Sequence, residues 1–106
     1  MHEPIPNLAL SNAVRPGVWG YLKTLAGELA PDGVTVNAVA PGRIFTARTR
    51  ALFGEQPPAS EVATIPLRRY GTPRELGDVV CFLASRQASY LTGIVVPVDG
   101  GLSRSL

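Results

Sequence analysis

The pattern of apolar and polar positions predicts a long first helix over residues 13–30. Its apolar side chains recur every three or four positions, which places them on one helical face. They are Val14, Val18, Tyr21, Leu22, Leu25 and Leu29. Asn12 is the expected cap, Pro16 is expected in the first turn, and the Pro-Asp-Gly sequence that ends at Gly33 is expected to stop the helix. Residues 1–12 should then be an extended segment.

Two short β-rich runs follow at residues 34–39 and 94–98. The first should end at Pro41 and Gly42, a pair that breaks strands and forms turns. Pro97 lies within the second run and has no N–H to donate to a neighbouring strand. We therefore expect the second strand to lie at the edge of a sheet.

Between the two runs the sequence predicts a second strong helix, preceded by a less regular stretch. A short helix near residues 49–53 and a loop at 56–58 are expected in that stretch. Thr72 as cap, Pro73 at the first helical position and Glu75 three residues after the cap form a capping box. The side chains that this helix should turn inward are Leu76, Val79, Val80 and Leu83.

The order of these elements predicts an α/β chain with a parallel pair of strands. A strand–helix–strand unit of this length favours a right-handed crossover. Two strands alone are marginally stable, and parallel sheets normally have both faces covered. The first strand therefore needs a neighbour that this chain does not encode, and we expect residues 1–106 to be part of one larger domain.

Composition narrows the class of protein further. The 106 residues are 45% hydrophobic and 17% charged, which is too apolar for a disordered tail. The net charge of +2 is too mild to imply nucleic acid. No apolar run reaches the length of a membrane span, and the first residues lack the pattern of a signal peptide. The expectation is a cytoplasmic protein that binds neither nucleic acid nor membrane.

The single cysteine and single histidine exclude several kinds of site. One cysteine rules out a disulfide framework and a multi-cysteine metal site, and no metal is expected. Because the histidine is His2, beside the terminus, catalysis by Ser-His-Asp or Cys-His arrangements is excluded. Cys81 lies among apolar residues and is expected to be buried and inert.

Nearly the whole chain from Pro6 to Leu102 resembles the C-terminal half of the short-chain dehydrogenase/reductase family, and its 3-oxoacyl-acyl-carrier-protein reductase-like members in particular. Each segment alone is a weak signal, but in this order and spacing they are specific. The segments that carry the resemblance are residues 25–42, 66–76, 82–85, 88–93 and 98–101.

The resemblance implies the C-terminal part of a doubly wound, parallel-sheet Rossmann fold that uses NAD or NADP. Such a protein reduces a ketone or oxidises a secondary alcohol, 3-oxoacyl thioesters among them. The family's N-terminal half carries a glycine-rich pyrophosphate turn and a catalytic serine. This sequence contains neither G-x-x-x-G-x-G nor G-x-G-x-x-G. We expect the chain to be inactive alone and to need a complementing N-terminal half.

The family's catalytic Tyr and the Lys four residues later correspond to Ser11 and Arg15, so both are replaced. Four residues apart, they lie on one helical face. A serine hydroxyl is a poor acid without a base beside it. Arg15 keeps the positive charge and can bind ribose hydroxyls, but a guanidinium does not release its proton. The alternative is that Ser11 caps the helix and Arg15 is a solvated charge.

The turn after the first strand corresponds to the family's nicotinamide-binding turn. The resemblance implies that Pro41, Gly42, Ile44 and Thr46 bind cofactor together with Arg15. The Ile44 backbone would meet the carboxamide, and the Thr46 hydroxyl would meet the carboxamide or a phosphate. The alternative is an ordinary turn that ends a strand.

Two functions stay open at this stage. In the first, the chain is part of an NAD(P)-dependent oxidoreductase that acts on a small carbonyl or alcohol and forms homo-oligomers. Trp19 would lie at a subunit interface or in the core. In the second, the chain is a non-catalytic remnant or a regulatory partner that associates with full-length relatives. Arg43, Arg48 and Arg50 form either an anion site or, as we favour, a solvated basic face.

Overall fold

The computed structural model describes residues 4–104. The main elements follow in the order helix, strand, helix, strand, and two short helices lie between the first strand and the second long helix. Short 3-10 turns lie at Ala30–Asp32 and Arg86–Ala88. The helices and strands are α1 (Ala9–Leu29), β1 (Ala38–Pro41), α2 (Ala47–Phe53), α3 (Ala59–Val62), α4 (Pro73–Leu83) and β2 (Val95–Val98).

The two strands pair in parallel, as predicted. The register runs from Ala38 beside Val95 to Pro41 beside Val98. The Gly42 amide extends the ladder by donating to the Val98 carbonyl at 2.9 Å. The two strands form the whole sheet within residues 4–104, and α4 packs on β1. The structure therefore contains a small part of a parallel α/β sheet.

The first strand begins at Ala38, four residues later than the predicted run at 34–39. The residues before it are extended but lie beside a loop instead of a strand. The Asn37 side chain binds that loop at two points, since its Nδ2 donates to the Leu91 carbonyl at 2.9 Å and its Oδ1 accepts from the Ile94 amide at 3.3 Å. Lys23 Nζ donates to the Gly93 carbonyl at 2.9 Å, which ties the second half of α1 to the same loop.

The first helix begins at Ala9, four residues before its predicted start, and the prediction for Asn12 as its cap was wrong. Asn12 lies inside the helix, where its amide group bonds both the N–H and the C=O of Ile5 at 2.9 Å. A turn with Asn7 at φ 65° brings Ile5 back beside the helix. Pro16 is also not in the first turn, because it is the eighth residue of α1.

The capping box predicted for α4 is confirmed. The Thr72 amide donates to Glu75 Oε2 at 2.8 Å, the Glu75 amide donates to Thr72 Oγ1 at 3.2 Å, and Pro73 opens the helix. Three of the four side chains expected to point inward are half-buried, but Val80 is 47% exposed. Cys81 is exposed as well, so the prediction of a buried thiol was wrong. The described chain places no element over this side of α4.

Large apolar side chains are exposed over much of the surface, and few residues are fully buried. Within residues 4–104 the buried apolar residues are Ala26, Ile65, Tyr70 and Ala88. Half of the predicted apolar face of α1 is exposed, namely Val14, Val18 and Tyr21, together with neighbouring Leu10, which is 83% exposed. Parallel sheets normally have helices over both faces. This surface is what a portion of a larger Rossmann domain is expected to leave uncovered.

Candidate functional site

The carboxyl ends of β1 and β2 lie side by side, and loops at this edge of a parallel sheet are where such folds bind ligands. The loop of residues 41–46 leaves β1 and leads into α2. It contains four of the five residues that the sequence predicted to bind cofactor. We refer to it as the 41–46 loop.

Gly42 lets the 41–46 loop pass directly against the end of β2. A Cβ at this position would lie 2.5 Å from Asp99 Cβ and 2.7 Å from Asp99 Cα. Carbon atoms in contact are normally about 3.5–4.0 Å apart, so a side chain does not fit. The Pro-Gly turn therefore requires a glycine at position 42, because the Asp99 backbone lies too close for a side chain.

The backbone N–H and C=O of Ile44 are unpaired within residues 4–104. A single parallel bridge joins Ile44 to Gly71. Neither hydrogen bond of that bridge uses the backbone of Ile44. The Gly71 amide donates to the Arg43 carbonyl at 2.9 Å, and the Phe45 amide donates to the Gly71 carbonyl at 2.8 Å. The N–H and C=O of Ile44 are thus a donor and an acceptor that a ligand can use.

Thr46 caps α2 and keeps a donor of its own. Its amide donates to Thr49 Oγ1 at 2.7 Å, and its own Oγ1 accepts from the Thr49 amide at 3.4 Å. A hydroxyl has one hydrogen to donate and two lone pairs to accept. The cap uses one lone pair, so the Thr46 hydroxyl hydrogen is available to a ligand.

Asp99 follows the last residue of β2, and its side chain fixes the turn that ends the strand. Its carboxylate accepts from the Gly101 amide at 2.9 Å, the Ser103 amide at 3.0 Å and the Ser103 hydroxyl at 2.5 Å. Burial alone would raise the pKa of Asp99, but these hydrogen bonds outweigh it and lower the pKa. The carboxylate therefore fixes the turn against which Gly42 packs.

A cavity of about 230 Å³ lies between the 41–46 loop and α4, with Ile44, Val79 and Asp99 among its walls. Two of its charged wall residues, Arg69 and Glu75, form a two-point pair at 2.9 and 2.6 Å. The hydrogen bond from Arg69, helped by the Thr72 amide, lowers the pKa of Glu75 to about 2. These two charges neutralise each other and tie the start of α4 to the segment that precedes it.

Ser11 and Arg15 lie four residues apart on the first half of α1, Ser11 half-buried and Arg15 exposed. Within residues 4–104 neither side chain forms a hydrogen bond or ion pair, and none joins them to the 41–46 loop. Ser11 does not cap the helix, because the cap position is Leu8. The structure thus removes the capping alternative, while a catalytic role for Ser11 and a ribose-binding role for Arg15 stay predictions.

No helix in residues 4–104 is long and apolar enough to cross a membrane. In the same residues, no group of three or more His, Cys, Asp or Glu side chains lies together as metal ligands.

Comparison with known proteins identifies the family. The profile of the enoyl-(acyl carrier protein) reductase family matches residues 1–103. The 3-oxoacyl-[acyl-carrier-protein] reductase FabG of Vibrio cholerae is 49% identical over 90 residues, which is 85% of this chain and 36% of that protein. The chain belongs to the short-chain dehydrogenase/reductase family. Both the family resemblance and the Rossmann-type fold class predicted from the sequence are confirmed.

Solved structures of the family superpose closely on the chain. The NADPH-dependent reductase YwfH of bacilysin biosynthesis gives a TM-score of 0.88 at 30% identity, over 98% of this chain and 43% of that one. A blue fluorescent protein from a metagenomic library, solved with NADPH, gives 0.80 at 35% identity, over 91% of this chain and 38% of that one. The chain therefore spans less than half the length of these relatives.

Proposed function

We propose that the chain supplies the nicotinamide-side portion of an NAD(P)-dependent oxidoreductase. The reaction is reduction of a ketone or oxidation of a secondary alcohol, with 3-oxoacyl thioesters as the substrate class to test first. The observation that carries this proposal is the unpaired N–H and C=O of Ile44, placed at the carboxyl edge of the sheet. Relatives named as 3-oxoacyl-[acyl-carrier-protein] reductases support the substrate class.

The 41–46 loop fits the amide end of a nicotinamide. A carboxamide has one acceptor and two donors, which complement the N–H and C=O of Ile44. The Thr46 hydroxyl can donate to the same carboxamide or to a phosphate. When bound, the cofactor supplies or accepts the hydride. The part of this chain is to hold and orient the carboxamide, with Gly42 allowing the loop to reach that position.

Ser11 and Arg15 take the positions of the family's Tyr and Lys in this proposal. Arg15 binds ribose hydroxyls through its guanidinium, which stays charged. Ser11 lies where the family's proton donor would face the substrate oxygen. Because a serine hydroxyl without an adjacent base is a poor acid, we expect slow proton transfer at this position.

The rest of the domain has to come from a partner or from further sequence. β1 has a neighbour on one side only within residues 4–104, and its other edge is unpaired. A groove of about 330 Å³ lies between β1 and α4, lined by Asn37, Val39, Val80 and Leu83. We propose that a complementing N-terminal half covers both the unpaired edge of β1 and this groove. Homo-oligomer formation and a cytoplasmic location belong to the same proposal.

A chimera tests the enzyme function directly. In it, residues 1–106 replace the corresponding part of the Vibrio cholerae reductase, and NADPH oxidation is followed with a short 3-oxoacyl thioester. Thr46→Val should raise the KM for NADPH. Thr49→Val is the matched control, because it removes the other half of the same capping box but leaves the Thr46 hydroxyl in place. An equal rise in both variants would assign the effect to the cap and contradict the proposed contact.

The second candidate function is a non-catalytic partner of full-length relatives. The replacements at Ser11 and Arg15 and the exposed apolar side chains of α1 favour it. Stable binding of the purified chain to the full-length reductase, together with a chimera that binds NADPH but does not turn over, would support this candidate over the enzyme. Turnover by the chimera would exclude it.

A further inference from the structure

A buried tyrosine, a carboxylate and an arginine from three separate segments meet beside the 41–46 loop. Tyr70 is only 7% exposed, and its hydroxyl donates to Glu61 Oε2. The same oxygen lies 3.9 Å from Nε of Arg43. Arg43 belongs to the 41–46 loop, Glu61 to α3, and Tyr70 to the segment before α4. One carboxylate oxygen therefore joins all three.

In the part of the chain that the structure describes, the remaining hydrogen bonds of α3 are internal to its own segment. The Thr64 hydroxyl donates to the Glu61 carbonyl at 2.6 Å, and Arg68 Nη1 donates to the Ala63 carbonyl. These bonds fold the segment on itself without joining it to the loop. At its far end, Ile65 is 1% exposed and packs close to Gly100. Within the described residues 4–104, the polar link between α3 and the 41–46 loop is the Glu61 carboxylate.

We propose that Glu61 is a positioning residue that holds α3, and with it the segment between β1 and α4, on the 41–46 loop. This deepens the proposed function, because that loop is the proposed cofactor site and the segment over it would form the substrate side. Glu61 touches neither cofactor nor substrate in this role. It acts through Arg43 on the loop and through Tyr70 on the start of α4.

Replacing Glu61 and replacing Arg43 should shift the pKa of Tyr70 in opposite directions. Burial raises the pKa of Tyr70, the hydrogen bond to Glu61 and the charge of Glu61 raise it further, and Arg43 lowers it. Glu61→Gln should therefore lower the Tyr70 pKa, and Arg43→Gln should raise it. A variant that merely loosens this region would expose Tyr70 and lower its pKa in both cases.

Ultraviolet titration of the 106-residue chain measures the pKa of Tyr70 directly. Subtracting the titration of a Tyr70→Phe variant isolates Tyr70 from Tyr21 and Tyr90, which are 66% and 100% exposed. Glu55→Gln is the matched control, since Glu55 pairs with Arg50 at 3.1 Å, outside the cluster. Opposite shifts for the two cluster variants and none for the control support the proposal. Shifts in the same direction, or a Tyr70 that titrates like an exposed tyrosine, overturn it.

Hydrogen exchange supplies the second readout. A hydrogen bond to a charged group stabilises the segment that it holds against local opening. Glu61→Gln should therefore speed exchange of the amides of residues 61–65 by roughly tenfold or more. The amides in the second half of α4 should be unchanged. Equal exchange in the variant and the parent chain would overturn the proposal. Neither measurement needs cofactor or turnover, so a failure here leaves the proposed function standing, and a chimera without activity leaves this cluster standing.

Discussion

Replacing Gly42 by alanine isolates the close approach between the 41–46 loop and the end of β2. The new Cβ would lie 2.5 Å from Asp99 Cβ and 2.7 Å from Asp99 Cα. Gly42 does not have a positive φ, so the cost is one of space and not of backbone conformation. To reach an ordinary carbon–carbon contact, the two backbones must separate by about 1 Å.

The size of the effect follows from what holds Asp99 in place. Its carboxylate accepts hydrogen bonds from Gly101 and Ser103, and its turn is packed against the segment before α4. Forcing an extra methyl into such a contact costs about 1–3 kcal/mol. The same shift would move the backbone of Ile44, so the variant should also weaken cofactor binding.

Gly77→Ala is the matched control for this substitution. Gly77 lies on the exposed side of α4, and a Cβ there meets no atom within 4 Å. Replacing a glycine by alanine in a helix stabilises it by roughly 0.5–1 kcal/mol. The two glycine-to-alanine changes should therefore have opposite signs.

Urea unfolding and an NADPH titration of the chimera check both expectations. We expect Gly42→Ala to lower the free energy of unfolding and to weaken NADPH binding. Gly77→Ala should raise the free energy of unfolding slightly and leave binding unchanged. A Gly42→Ala chimera as stable as its parent, with equal NADPH affinity, would refute the close packing of the loop on Asp99.

Two further predictions concern α1 and α4. The double change Ser11→Tyr, Arg15→Lys should raise the steady-state turnover of the chimera, because it restores a proton donor and a lysine on one helical face; no gain would mean that the alignment or the mechanism is wrong. The lowered pKa of Glu75 predicts a contribution to stability that is present above its ordinary value of 4.5 and is lost as the pH falls towards 2. Thermal melting should show that Glu75→Gln flattens this acid dependence, whereas Asp78→Asn on the exposed side of the same helix should not.

Local signals in the sequence were sufficient for α4 and for the pairing of the strands. The capping box needs only Thr72, Pro73 and Glu75, which are neighbours in the chain, so its geometry follows from their order. The start of α1 was missed because a more distant contact decides it. Asn12 has the residue type of a cap, but its amide is used by the backbone of Ile5.

Sequence patterns could not predict which side chains are exposed, nor the contacts of Glu61. Val80 and Cys81 were expected to be covered, but no element in residues 4–104 lies over their side of α4. α3 was missed because its segment has no regular apolar spacing. Glu61 and Tyr70 are nine residues apart in that segment, and only the folded chain shows that they meet Arg43. The motif around Asp99 was recognised, but its role in fixing a turn depends on amides two and four residues later.

In the proposed function, this chain provides one side of a nucleotide site whose other side lies elsewhere. A fluorescence titration with NADPH, run on the purified 106-residue chain and on the chimera at equal concentration, tests this division most directly. We expect saturable binding by the chimera and none by the chain alone. Micromolar binding by the chain alone would contradict this division.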